Sequence, residues 1–232
     1  MHCTVPLLSA AECDQITATL RQLPWQEGHA PGELYREKIK RNQEIALEMS
    51  PETKVADDIM ATISRKLMAN ADVRNKTFAK TLVNPRFNLC ENSGFYAKHA
   101  DSAFLGNQRQ QVRTDISLTL FLSDPDSYQG GELSLQYACG DAQLIKPAKG
   151  CVVFYPSGVM HEVKPVTNGQ RICFVGWIQS HIQDPQNRSI LSEITTLCDD
   201  MMADPNLALG DLHTRAQNIK HNLFRRWWQN HN

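Results

Sequence analysis

Hydrophobic positions along the chain fall into three zones of different spacing. From Ser9 to about Asn70 the spacing is helical: Ser9-Ala10-Ala11-Glu12 has the form of a capping box ahead of Ile16 and Leu20. Ser50-Pro51 reads as a cap and first turn. Behind it Val55, Ile59, Ile63 and Leu67 recur every four residues as one apolar stripe. From about Thr81 to Ser180 the runs are short and strand-like, at Asp115–Leu122, Gly131–Gln136, Gly150–Tyr155, Val159–Val163 and Gln170–Ile178, with Gly, Pro, Asn and Asp between them. After Asp184-Pro185 the helical period returns, first with Ile190, Ile194, Leu197 and Met201, then with Leu212, Ala216, Ile219, Leu223 and Trp227.

This order predicts an α+β protein. A helical region over 1–80 packs on a β core over 81–180, built as a barrel or sandwich, and a second helical region covers 181–232. Within Asp115–Leu122 one face is Ile116, Leu118, Leu120 and Leu122, and the other is Asp115, Ser117, Thr119 and Phe121. The apolar face suits packing under the N-terminal helices. The mixed face either meets water or lines a cavity for a small polar ligand.

Composition narrows the class without naming the chemistry. The chain has 232 residues, 24 Lys+Arg against 25 Asp+Glu, and a formal net charge of −1, which argues against a protein that grips nucleic acid or an anionic membrane. Seven scattered cysteines with no C-x-x-C pair suit buried, reduced thiols. No basic n-region with an apolar stretch opens the chain, and no apolar run approaches the roughly 18 residues of a membrane span, so a cytoplasmic location is expected.

Three residues carry the candidate chemistry. In extended chain, His99 and Asp101 project on the same side and can converge on one metal ion. His161, in Val159-Met160-His161-Glu162-Val163, can complete a two-His, one-carboxylate set with open positions, as in non-haem Fe(II) oxygenases. The competing reading is a turn-capping aspartate beside structural histidines. Arg171 bears on the choice. It sits in the apolar run Ile172-Cys173-Phe174-Val175-Gly176-Trp177-Ile178, and a buried guanidinium needs a carboxylate. That carboxylate is either a ligand's, such as the far end of 2-oxoglutarate, or belongs to Asp115 or Glu132 on a neighbouring strand. The polar stretch Ser102–Arg113 reads as a lid or an ordinary surface loop, and Trp227-Trp228 as a docked end or an oligomer contact.

Several blocks resemble the PKHD-type hydroxylases, bacterial Fe(II)/2-oxoglutarate dioxygenases of the prolyl-4-hydroxylase superfamily. They are Phe95-Tyr96-Ala97-Lys98-His99-Ala100-Asp101, Thr114–Pro125, Tyr128-Gln129-Gly130-Gly131-Glu132-Leu133, Tyr155–Val163 and Pro165–Arg171. The likeness runs from about Leu7 to Trp227. It implies a double-stranded β-helix (jelly-roll) core flanked by helices. It also implies Fe(II) on His99, Asp101 and His161, and the far carboxylate of 2-oxoglutarate on Arg171, with Tyr96 close to the cosubstrate or in the core. Succinate and CO2 are the implied by-products, with dioxygen as co-reactant, ascorbate as reductant, and a small molecule or peptide as substrate, in a chain that also suits a homo-oligomer. A non-catalytic sensor of iron or 2-oxo acids on the same barrel is the alternative. The chain departs from the family's Asn-Arg-Tyr segment: Leu89 and Cys90 follow Asn88. The carboxylate of Asp101 favours hydroxylation, since related halogenases lack it.

Overall fold

The structure, a computed structural model, describes residues 2–28, 33–45, 51–107, 110–138 and 140–229. Ser50 of the expected cap, His29, His231 and Cys139 lie outside the described residues.

The N-terminal part runs β1 (Cys3–Pro6), α1 (Ala10–Leu20), β2 (Trp25–Glu27), α2 (Glu33–Lys38), β3 (Lys40–Arg41), β4 (Gln43–Ile45), α3 (Pro51–Ala69) and α4 (Ala71–Thr77). The central part runs β5 (Ala79–Cys90), β6 (Gly94–His99), β7 (Phe104–Asn107), β8 (Gln110–Arg113), β9 (Ile116–Phe121), β10 (Tyr128–Gly130), β11 (Leu133–Gln136) and β12 (Gln143–Ile145). Then come β13 (Cys151–Pro156), β14 (Met160–Gly169), β15 (Arg171–Ser180), α5 (Pro185–Ala203) and α6 (Asp211–Trp227).

Two antiparallel sheets face each other. One has seven strands in the order β1-β13-β9-β15-β5-β4-β2, and the other has the order β12-β11-β14-β6-β3, with β10 added beside β14. The first eighty residues therefore hold strands as well as helices, against the purely helical spacing. Strands such as Lys40–Arg41 and Gln43–Ile45 are too short to show a period, and sheet pairing alone makes them strands. Ser102–Arg113 contains the hairpin β7–β8 rather than a plain loop.

The capping box at Ser9 forms as expected, with Ser9 Oγ accepting from Glu12 N and Glu12 accepting from Ser9 N. The apolar face of β9 packs under α1 and α3, as Ile116, Leu118, Leu120 and Leu122 share one cluster with Leu20, Ile63 and Leu67. On α3 the buried set is Ala56, Ile63 and Leu67, while Val55 is exposed. A strict i,i+4 row advances about 40° per step around a helix, so its far end leaves the packed face.

The C-terminal helices form where expected, and each covers one side of its apolar sector. Leu191, Thr195 and Cys198 are buried on α5, whereas Ile190 and Leu197 are exposed. Ile190 and Leu197 lie at one edge of the helix's apolar sector, and periodicity does not say which side of that sector is covered. Docking does: Leu191 joins Phe78 and Ile182, with Ile194, Leu223, Phe224 and Trp227 packed against them. On α6, Ala216 and His213 are buried while Leu212 and Ile219 are exposed. Trp227 is docked in this cluster, and Trp228 stacks on His181. Cys3, Cys13, Cys90, Cys151, Cys173 and Cys198 are free thiols. Among the described residues no helix is long and apolar enough to cross a membrane.

Candidate metal and cosubstrate centre

The register of the smaller sheet brings the histidines together. His161 on β14 pairs directly with His99 at the end of β6. Asp101 follows two residues later, held by its own N–H donating to Ser157 O at 3.1 Å. One ligand atom from each of His99, Asp101 and His161 falls within 4.8 Å of the others. His99 Nε2 is 3.6 Å from Asp101 Oδ1, and His161 Nε2 is 3.7 Å from Asp101 Oδ2.

Backbone carbonyls set the state of both rings. His99 Nδ1 lies 2.8 Å from Ala97 O and His161 Nδ1 lies 2.9 Å from Val159 O. A carbonyl only accepts, so each Nδ1 carries a proton and each Nε2 is the nitrogen turned to the centre. His99 Nε2 is buried with no hydrogen-bond partner. Burial opposes the Asp101 charge, but His99, His161, Ser117 and Trp177 outweigh it and hold the carboxyl below its ordinary range. Burial lowers His161, which keeps its ring neutral. An ionised carboxylate and neutral imidazoles are the states a divalent cation binds. The donor set fits Fe(II).

Two buried hydroxyls stand behind the carboxylate. Ser117 Oγ donates to Asp101 Oδ2 at 2.5 Å, and Ser157 Oγ lies 2.9 Å from Ser117 Oγ. The mixed face of β9 thus turns inward, with Ser117 and Thr119 lining a cavity of about 110 Å³. Tyr155 closes it with its ring edge-on to His161 at 4.9 Å.

Arg171 opens β15 in the same cavity and is buried. Its Nε and Nη2 have no hydrogen-bond partner, and its guanidinium lies 5.1 Å from the centre of the Phe121 ring. Asp115, one protein partner the sequence allowed, is engaged by Arg113 at 2.8 and 3.0 Å instead. The two unpaired N–H groups fit the far carboxylate of 2-oxoglutarate. Gly131 has φ +69°, and a Cβ there would stand 2.9 Å from Arg171 Cδ, so glycine gives the arginine stem its passage. Cys90 pairs with Arg171 across β5 and β15 and lines the cavity; burial pushes its thiol up to about 11. Leu89 instead joins the hydrophobic core. Tyr96 stacks on His99 with ring centres 3.7 Å apart.

Sequence reasoning missed Ser117's contact with Asp101, along with Ser157, Trp177 and Tyr155, although the alternating face of β9 carried a signal for Ser117. It also missed Lys40, Glu44 and Arg86, which line the outer cavity and had no motif to mark them.

Comparison with known proteins places the chain in a family. The 2OG-Fe(II) oxygenase superfamily matches residues 85–179. A PKHD-type hydroxylase of Teredinibacter turnerae is 37% identical over 226 residues, covering 95% of this chain and 96% of its own. One of Hyphomonas neptunium is 36% identical over 214 residues, 92% of each chain. In fold, the chain is similar to a prolyl-4-hydroxylase of Pseudomonas putida, with a TM-score of 0.54 and 22% identity over 77% of this chain and 92% of that one. Extended likeness at this identity, on a jelly-roll carrying a His-Asp-His cluster, shows that the chain belongs to the PKHD-type hydroxylases and is an Fe(II)- and 2-oxoglutarate-dependent hydroxylase.

Proposed function

We propose that the chain holds Fe(II) on His99, Asp101 and His161, binds the far carboxylate of 2-oxoglutarate on Arg171 beside Tyr96, and hydroxylates an amino-acid side chain, free or peptidyl. The observation that carries this reading is one cavity that holds a converging ligand set beside a buried, unpaired guanidinium. Three ligand atoms converge within 4.8 Å, and a buried arginine beside them has two unpaired N–H groups.

When bound, iron and cosubstrate supply the oxidative chemistry: dioxygen oxidises the 2-oxo acid to succinate and CO2 and leaves one oxygen atom in a substrate C–H bond. The chain positions and shields. Ala97 and Val159 carbonyls fix the imidazole tautomers, and Ser117 orients the Asp101 carboxylate. Arg171 neutralises and aligns the cosubstrate from the inner end, while Tyr155 and Trp177 wall the site from water.

Anaerobic addition of Fe(II) and 2-oxoglutarate to the folded protein tests the assignment. A visible charge-transfer band is expected, and succinate should form once dioxygen and a substrate are supplied. A folded protein that shows no band would overturn it.

A further inference from the structure

The outer half of the cavity is built from residues that metal and cosubstrate leave unused. Exposure rises along it. Arg171 is 1% exposed, whereas the side chains of Lys40, Glu44 and Arg86 are 11%, 17% and 25% exposed. These three form one cluster. Lys40 Nζ donates to Glu44 Oε1 at 2.7 Å, Asn42 Nδ2 donates to the same oxygen at 3.2 Å, and Arg86 Nη1 reaches Oε2 at 3.5 Å.

Each cation also lies over an aromatic ring that reaches the triad. Lys40 Nζ is 5.4 Å from the centre of the Tyr96 ring, which stacks on His99. Arg86 Cζ is 5.0 Å from the centre of the Trp177 ring. The Trp177 indole N–H is buried on the Asp101 side of the cavity and helps hold that carboxyl below its ordinary range. Lys40 and Arg86 thus stand on two aromatic walls, one leading to His99 and the other to Asp101, with Glu44 between them.

Charge decides what this arrangement accepts. Among the described lining residues Lys40, Arg86 and Arg171 are cationic, and Glu44 and Asp101 are the carboxylates. Fe(II) and 2-oxoglutarate carry equal and opposite charges, so loading both leaves the surplus positive charge in place. With Arg171 given to the cosubstrate, the surplus rests on Lys40 and Arg86, which share one carboxylate. Arg86 is the looser partner, since 3.5 Å is the outer limit of a hydrogen bond, and a guanidinium takes a carboxylate as a two-pronged fork.

We propose that Lys40, Glu44 and Arg86 form the substrate-recognition subsite and that it takes a carboxylate of the substrate, whose reacting end reaches inward between Tyr96 and Trp177. This rests on the hydroxylase assignment above and adds the substrate's chemical class. The carboxylate is that of a free acid or of a peptide. A neighbouring cleft of about 380 Å³, which shares Lys40 and Asn42 with the cavity, has room for the remainder of either.

The test loads the protein with redox-silent Mn(II) and one equivalent of 2-oxoglutarate, then titrates matched acid and carboxamide pairs by calorimetry. One arm uses free amino acids and their amides, and the other uses short peptides ending in acid or amide; the arm that binds names the source. Wild type should favour the acid of at least one pair by about tenfold. Arg86→Leu and Lys40→Met should each erase that preference while Mn(II) and 2-oxoglutarate affinities hold. Glu44→Gln should move the other way and tighten the acid, because it removes the competing carboxylate. Equal binding of acid and amide throughout, no acid bound by the loaded protein, or a Glu44→Gln loss matching that of Arg86→Leu would each overturn the subsite. Failure of wild type to take up Mn(II) and 2-oxoglutarate would instead overturn the cavity assignment, and the subsite with it.

Discussion

Arg171 and Arg188 are both buried, at 1% and 5% exposure, and the molecule treats them in opposite ways. Arg188, in the first turn of α5, is enclosed by backbone. Its Nη1 donates to the carbonyls of Ile182 at 2.8 Å and Gln183 at 2.7 Å, and its Nη2 reaches that of Asp115 at 3.4 Å. It ties the C-terminal helices to the sheet. Arg171 has two nitrogens, Nε and Nη2, with no hydrogen-bond partner, and in the same cavity His99 Nε2 is equally unmatched. A buried polar group left unpaired costs about 1–3 kcal/mol. The helical layer spends its arginine on structure, whereas the β core leaves its donors for what enters the cavity.

The comparison can be broken most decisively at the triad. His99→Ala should lose bound iron and turnover together, measured by metal analysis and succinate formation; a variant that kept both would remove His99 from the ligand set. Exchanging the two arginines is the next test. Arg171→Ala should raise the 2-oxoglutarate dissociation constant by about a hundredfold while Fe(II) affinity and melting temperature hold. Arg188→Ala should lower the unfolding free energy in urea by about 2 kcal/mol and leave cosubstrate affinity unchanged, because it removes the donor from the buried Ile182 carbonyl and from that of Gln183. The opposite pattern would erase the distinction drawn between the two.

A smaller effect is expected behind the ligands. Ser117→Ala should weaken metal binding by about tenfold with little change in fold stability, since it frees the Asp101 carboxylate to rotate. Unchanged metal affinity would make Ser117 a lining residue only.

The smallest effect lies at the outer end of the N-terminal helical layer. Glu12 is lowered to about 2 from an ordinary 4.5 by hydrogen bonds from Lys66 and from the Ser9 backbone and side chain. Its folded value is depressed, so its contribution to stability is complete above pH 4.5 and fades as pH falls towards 2. Glu12→Gln should therefore melt slightly lower than wild type at neutral pH, and the two melting curves should merge in acid.

How much of this was legible depends on the range of the interaction involved. The capping box at Ser9–Glu12, the strand runs and the His-x-Asp spacing are local, and the structure keeps them. Arg171 was legible because a charge stands out in an apolar run, though its lack of a protein partner was not. The helical period of α5 and α6 was legible, but not that Ile190, Leu197, Leu212 and Ile219 would stay exposed. Each helix has one broad apolar sector, and only docking around Phe78 and Ile182 decides which side of it is covered. The strands β2, β3 and β4 escaped notice because two or three residues carry no period.

The sequence by itself determined that this is an α+β chain with an alternating β core, three candidate metal ligands, and one arginine whose charge had to be answered. Its repeats of two and of three to four residues, and its side-chain chemistry, are properties of neighbours along the chain. Tertiary structure decided that His161 stands opposite His99, that Asp115 belongs to Arg113 rather than Arg171, and that Ser117 faces Asp101. It also decided that Lys40, Glu44 and Arg86 meet above the triad. His161 meets His99, and Arg86 meets Glu44, through strand register between segments far apart in the chain, and a one-residue slip would turn each to the other face of its sheet.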